Sequence, residues 1–292
     1  MNFEEFCNEV VESIAGYLSE YDIEHITTET IMKNNGLEYT GVVILLKDEE
    51  VAPSIYLDYF FMLYKQGRNL DDVLSMIRSE YKRARETIKH TDFSVNKDGL
   101  EDSVFLKVIN YEKNIERLKD CPYIMFHDLA VCFRYLVNLD DDGVASAIIS
   151  NRDLEKWDLS VEELYNIAMD NTRKLFPPKI KKMEEVVPSI KDLIDEDTNN
   201  KRLYILTNES GVNGATSILY DDVIREFARE QESNICILPS SIHELVLICG
   251  NQEDKAYLGE LVRQVNKYIV TEADYLSNNV FFYDLDEDKI TI

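Results

Sequence analysis

Ile23-Glu24-His25-Ile26-Thr27-Thr28-Glu29-Thr30-Ile31-Met32, then Asn35-Gly36, then the run from Leu37 to Lys47, is the stretch whose reading decides the fold. Both flanks are rich in β-branched residues, and Asn-Gly supplies two residues that tolerate positive φ, so the stretch predicts a β-hairpin. Upstream, Phe3, Phe6, Cys7, Val10, Ile14, Tyr17 and Leu18 recur at three and four residues, with Glu4, Glu5, Glu9 and Glu12 between them. That period is an amphipathic helix, and it gives the hairpin something to pack on. Downstream, Pro53 precedes a short strand, Ser54 to Leu57, which runs into an aromatic helix ending near Gly67. Asn69 is placed to cap a further helix whose apolar face is Leu70, Val73, Leu74, Ile77, Tyr81 and Ala84.

Residues 91 to 102 lose periodicity and collect turn formers, so a boundary is expected there, dividing an N-terminal α+β domain at 1–98 from a C-terminal α+β domain at 99–292. The second part reads as a helix from about 106 to 119, an apolar run from Tyr123 to Leu139, and a second hairpin turning at Asp142-Gly143 into Val144 to Ser150. Ser160-Val161-Glu162-Glu163 has capping-box spacing ahead of Leu164, Ile167 and Ala168, and Pro177-Pro178 ends that helix. After a polar stretch around 195 to 201 come a strand at Leu203 to Thr207, a turn at Asn213-Gly214 and a helix from about 221 to 230. Strands at Ile235 to Leu238 and Glu244 to Cys249 precede a helix carrying Tyr257, Leu258, Leu261, Val262, Val265 and Ile269, and the chain closes on a hairpin, Val280 to Tyr283 with Lys289 to Ile292. Regular βαβ alternation is missing. The expected class is therefore α+β, with mostly antiparallel sheets and hairpins packed by amphipathic helices in two subdomains.

The 292 residues carry 31 Lys and Arg against 56 Asp and Glu, a formal net charge of -25. Such a charge repels phosphate backbones and anionic lipid, so neither nucleic acid nor membrane is an expected partner. The local exception is Arg78, Lys82, Arg85 and Lys89, four cations along one helical stripe that could meet an acidic partner. Apolar runs such as Val42 to Leu46 and Leu245 to Cys249 are far below the ~20 residues that span a bilayer. Cys7, Cys121, Cys132, Cys236 and Cys249 are odd in number and free of C-x-x-C spacing, and the acidic start Met1-Asn2-Phe3-Glu4-Glu5 does not read as a secretory leader. A soluble protein in a reducing cytoplasm is the expectation.

The best catalytic composition is Pro239-Ser240-Ser241-Ile242-His243-Glu244. On an extended strand Ser241 and His243 share a face while Glu244 points away, and Ser241 with Glu244 also fits capping-box spacing, so a capped turn accounts for all of it. His127-Asp128 opens an apolar stretch, and neighbouring strand residues point to opposite sides. The histidines at 25, 90, 127 and 243 are dispersed, and Leu247 stands where a zinc-protease helix needs a second His, so no metal site is expected. Asp284, Asp286 and Asp288 imitate a calcium loop, but Lys289 replaces its glycine, leaving a solvated hairpin turn. No phosphate-cradling glycine motif is present and no cofactor is expected; Asn208, Asn213 and Gly214 are candidates for a polar binding loop at the end of a strand, where sheets often present binding groups, with turn chemistry as the alternative.

Several phrases together resemble one family: Ile55-Tyr56-Leu57-Asp58 with Tyr64-Lys65-Gln66-Gly67, Asn110-Tyr111-Glu112-Lys113-Asn114, Phe126-His127-Asp128-Leu129-Ala130, Leu206-Thr207-Asn208, Asn213-Gly214-Ala215, and Leu238-Pro239-Ser240-Ser241-Ile242-His243-Glu244. They resemble the bacterial domain-of-unknown-function family 5688, over nearly the whole chain. That resemblance implies a bacterial protein and brings no activity, cofactor or catalytic residue. A looser likeness in layout, through Trp157-Asp158-Leu159-Ser160 to Asn171, the turn at 239 and Val280-Phe281-Phe282-Tyr283, is to domain-of-unknown-function family 1444.

Two functions are carried forward. The leading one is a non-catalytic intracellular module that binds a protein or peptide, suggested by exposed hairpins, 17 tyrosines and the lack of a reaction motif. The other is a hydrolase-like enzyme assembling Ser241, His243 or Glu244 with His127 and Asp128 across the fold.

Overall fold

The computed structural model describes residues 1–47, 49, 52–89, 99–140, 143–186 and 203–292, with the backbone alone at 87–89 and 140. The chain divides into two compact units, Met1–Ser94 and Val95–Ile292. The boundary expected at 91 to 102 falls mostly outside the described residues, as does the polar stretch at 195 to 201.

In the first unit, α1 (Phe3–Tyr17) opens on a capping box in which Asn2 and Glu5 each accept the other's backbone N–H. The predicted hairpin follows as β1 (Ile23–Met32) and β2 (Glu38–Leu46), antiparallel with Met32 opposite Glu38. Asn35 and Gly36 both take positive φ, 59° and 70°, which is the conformation that selects this residue pair. β3 (Ser54–Tyr56) adds a third antiparallel strand beside β2, and α2 (Leu57–Lys65) and α3 (Leu70–Lys89) complete the unit. The N–H of Asp72 donates to Asn69 Oδ1 at 2.7 Å, as its capping position predicts. Phe6, Val10 and Ile14 of α1 meet Val42 and Ile44 of β2 and Val73, Leu74, Ile77 and Tyr81 of α3 in one core. Each such side chain contributes roughly 1.5–3 kcal/mol through burial.

The second unit begins with α4 (Leu100–Ser103) and β4 (Val104–Asn110), followed by α5 (Ile115–Leu118). The helix expected from about 106 to 119 is thus corrected: its first part is a strand. Val104, Phe105, Leu106, Val108 and Ile109 are all buried, and a strand covered on both faces loses the alternation that separates it from a buried helix. The apolar run from Tyr123 to Leu139 is likewise two strands, β5 (Tyr123–Phe126) and β6 (Leu129–Asp140), with His127 and Asp128 as the two-residue turn between them. His127 sits at φ 55°, a left-handed position filled without glycine, which hid the turn. β7 (Gly143–Ile148) pairs with the far half of β6, completing the second predicted hairpin, although Asp142 lies outside the described residues.

Next come α6 (Asn151–Trp157), α7 (Val161–Leu175) behind the predicted Ser160/Glu163 capping box, β8 (Pro178–Lys182), α8 (Met183–Val186), β9 (Leu203–Asn208) and α9 (Asp221–Gln231). β10 (Ile235–Pro239), β11 (Leu245–Cys249), α10 (Lys255–Tyr268), β12 (Phe281–Asp284) and β13 (Lys289–Thr291) end the chain. The strands form a six-stranded sheet, β13-β12-β10-β11-β9-β8, and a four-stranded one in which β6 pairs with β4, β5 and β7. Every pairing is antiparallel, so with the interleaved helices the fold is α+β.

One core joins the two sheets: Leu106, Val108, Val131 and Phe133 meet Leu206, Ile235, Ile237, Leu245, Leu247 and Phe281. The free edge of β4 is closed by hydroxyls, since the N–H groups of Leu106 and Val108 donate to Thr172 Oγ1 (2.8 Å) and Thr216 Oγ1 (3.2 Å). Those bonds satisfy buried donors and block strand addition at that edge. On the other side of the six-stranded sheet, Leu258 and Val262 of α10 cover Cys236, Leu238, Ile248 and Phe282. Among the described residues no helix is long and apolar enough to cross a membrane.

Candidate functional site

The loop between β10 and β11 holds Ser240 to Glu244 tightly, mostly through its backbone. The Ser241 N–H donates to the Glu244 carbonyl (3.1 Å), the Ile242 N–H to the Asp274 carbonyl (2.8 Å) and the Ala215 N–H to the Ile242 carbonyl (3.2 Å). Ser241 Oγ accepts the His243 N–H at 3.0 Å, closing a local hydroxyl turn. No helix starts here, so the capping box expected for Ser241 and Glu244 is replaced by that turn; Glu244 Oε1 instead meets Ser240 Oγ at 3.5 Å.

His243 is engaged at both ring nitrogens. Nδ1 accepts the Asn213 N–H at 3.3 Å, and Nε2 lies 3.3 Å from Asp274 Oδ1. With Nδ1 an acceptor, the neutral ring carries its proton on Nε2 and donates it to Asp274. In a hydrolytic triad the carboxylate binds one nitrogen and the nucleophile the other; here a main-chain N–H occupies the nucleophile's place. Thr207 Oγ1 donates to the His243 carbonyl (2.8 Å). Gly214 packs beneath, where a Cβ would fall closer than 3.0 Å to Thr207 and to that carbonyl, so only glycine fits.

His127 and Asp128 do not join this arrangement. The exposed His127 ring meets Phe126 edge-to-face (4.8 Å) and lies tilted against Phe281 (5.8 Å). Asp128 Oδ2 accepts from Ser277 Oγ (2.5 Å) and Asn279 Nδ2 (3.0 Å), so its carboxylate anchors the 277–279 loop and orients no imidazole. The 271–279 segment ties three places together, because it also supplies Asp274 to His243 and the Leu276 carbonyl to Asn110 Nδ2 (2.9 Å). Sequence inspection had no handle on Asp274, Ser277 or Asn110 as partners, since each bond spans distant segments.

Asn208 and Asn213 serve their own turn. Asn208 Nδ2 donates to the Val212 carbonyl (2.7 Å), its Oδ1 accepts from Ser210 Oγ (3.0 Å), and Asn213 takes φ 54° to enter the 3₁₀ turn Gly214–Leu219. The cationic stripe on α3 is matched inside its own unit. Arg78 and Lys82 both reach Glu20 (2.8 and 2.5 Å), whose carboxyl is held down at about 2, first by Lys82 and then by Arg78. Arg85 pairs with Glu49 and stacks 4.8 Å from the Tyr21 ring centroid; the Lys89 side chain lies outside the described residues. Asp284 Oδ1 accepts the N–H groups of Asp286 and Glu287, and Asp288 Oδ1 pairs with Arg225 (2.8 Å), which accounts for the acidic turn. Among the described residues no group of three or more His, Cys, Asp and Glu is arranged to hold a metal.

Among the described residues of the second unit, the most exposed large apolar side chains lie on α10 and at its C-terminal end. Tyr257, Leu261 and Tyr268 repeat at helical spacing about 100° around the helix from buried Leu258 and Val262, and Ile269 follows; Tyr257 is 76%, Tyr268 75% and Ile269 75% exposed. α10 therefore has one apolar face in the core and a second toward solvent.

Fold and site together define an α+β protein whose polar clusters are spent on turns and caps. The model of a family of unknown function, DUF5688, matches residues 3–285, and the chain belongs to that family. No curated protein and no solved structure matches the chain.

Proposed function

We propose that the chain is a non-catalytic module of the cytoplasm that binds a protein or peptide. The observation that carries this reading is the solvent-facing row Tyr257, Leu261, Tyr268 and Ile269 on α10, since aromatic side chains held on a rigid helix are the anchors protein partners use. The row is flanked by Glu260 and Gln264, with Arg263 paired to Glu260 and Lys267 over the Tyr268 ring, which favours an apolar partner segment. The closed hydrogen bonding of His243 speaks against catalysis, although its pairing with Asp274 keeps the hydrolase reading alive as the second choice.

The test is comparative capture from a native extract, using the full chain and its Tyr257→Ser/Tyr268→Ser/Ile269→Ser variant. Partners held by the first and lost by the second support the reading. Identical capture by both, or none by either, counts against it. Ester or peptide hydrolysis lost on His243→Ala would favour the enzyme instead.

A further inference from the structure

The antiparallel register of β4 and β6 sets Lys107 opposite Cys132 and Phe105 opposite Arg134. Opposed residues share a sheet face, so Lys107 and Arg134 are diagonal neighbours on the face turned away from the joint core, roughly 7–8 Å apart at their backbones. α5 crosses this face with Leu118 buried against Ile109, Ala130 and Cys132, and it carries Arg117. All three cations are half-buried. Among the described residues no carboxylate pairs with any of them, in a chain where Asp and Glu number 56 against 31 Lys and Arg. Arg134 is fixed by Ser146, with Nη2 donating to the carbonyl (2.6 Å) and Nε to Oγ (3.2 Å). Its Nη1 and the Lys107 ammonium have no hydrogen-bond partner among the described residues.

The nearby thiols add no negative charge, and the nearest carboxylates act on the cluster only from a distance. Burial pushes the Cys132 thiol up to about 12 and also raises Cys121, so both stay protonated at neutral pH. Tyr123, on the same rung as Cys132, shares a hydroxyl hydrogen bond with Tyr111. Asp120 and Asp153 act on Cys121, and Asp274, which accepts from the neutral His243 ring and keeps its charge, acts on Lys107 as the last of several influences. Burial, then Arg134 and Arg117, push Lys107 down to about 8, and burial with Arg117 lowers Arg134 to about 10. A rigid guanidinium edge, a nearby ammonium and a second guanidinium are the donor set that recognises a planar or tetrahedral oxyanion.

We propose that this face of the four-stranded sheet, at Lys107, Arg134 and Arg117, binds a small oxyanion, a phosphate or carboxylate group. The site is independent of the α10 surface, and its test does not touch that reading. The full chain, labelled with ¹³Cε-lysine, is titrated with inorganic phosphate and separately with acetate at constant ionic strength. A saturable shift of the Lys107 resonance is expected, weakened about tenfold or more by Arg134→Gln. Phosphate binding tighter than acetate identifies a phosphoryl ligand, and the reverse a carboxylate. Should Arg134→Gln not fold, Arg117→Gln serves the same comparison, and Lys107→Met, close in volume, must abolish the rise in unfolding temperature that the preferred anion produces. No saturable shift with either anion, or equal affinity in the arginine variant, overturns the proposal.

Discussion

The α3 stripe of the first unit and the sheet-face cluster of the second are both groups of three described cations, and they are treated in opposite ways. Arg78 and Lys82 converge on Glu20, and Arg85 has Glu49 on one side and the Tyr21 ring on the other. Lys107, Arg134 and Arg117 repel one another across a half-buried sheet with no carboxylate paired to them among the described residues. Charge conspicuous in the sequence is neutralised in the fold, whereas charge scattered along the sequence is concentrated by it. A helix displays its cations at fixed spacing, but antiparallel pairing gathers residues that no local window relates.

The largest expected effect breaks the comparison on its unmatched side. At pH 7 Lys107→Met should stabilise the phosphate-free protein by about 1–3 kcal/mol, since it removes an uncompensated charge while keeping the side-chain volume. The sign follows from linkage: the folded ammonium titrates at about 8 against an ordinary 10.5, so the unfolded chain holds the proton more tightly. The penalty is complete below pH about 8 and fades as pH rises toward 10.5, and urea denaturation across that range reads it.

On the matched side, Arg85→Leu should cost about 1–2 kcal/mol by chemical denaturation, because the change strands Glu49 and uncovers Tyr21 around a side chain only 12% exposed. Glu20→Gln should lower the unfolding temperature by less, as its partners are solvent-exposed. Glu20 is held at about 2 against an ordinary 4.5, so its contribution is present at neutral pH and disappears as pH falls through that interval; about 1 M salt should also remove it. The smallest effect sharpens the contrast between charge and apolar surface: Tyr257→Ser/Tyr268→Ser/Ile269→Ser on α10 should change stability by under about 0.5 kcal/mol per position, measured by thermal unfolding.

The elements legible in the sequence are those that local chemistry specifies. Asn35-Gly36 needs positive φ, Asn69 and Ser160 satisfy helix ends, and the spacing of Phe6, Val10 and Ile14 defines one buried face. β4 was illegible because burial on both faces erased its alternation, and the β5–β6 turn because histidine filled a position usually given to glycine or asparagine. Ser241, His243 and Glu244 announced a polar loop, but what that loop does depends on Asp274 and on the Asn213 N–H, neither of which sequence spacing could supply. Lys107 left one trace, as the single charge inside the apolar run Val104 to Ile109. In a strand buried on both faces, such a residue is costly to keep charged unless it is matched.

The most direct test of that point is the pH titration of the Lys107 ¹³Cε resonance in the intact chain, with no phosphate or carboxylate buffer present. A midpoint near 8 is predicted, moving upward when the preferred oxyanion is added. A midpoint at the ordinary lysine value near 10.5 would mean that the ammonium already has a solvent or protein counter-charge, and would contradict the account.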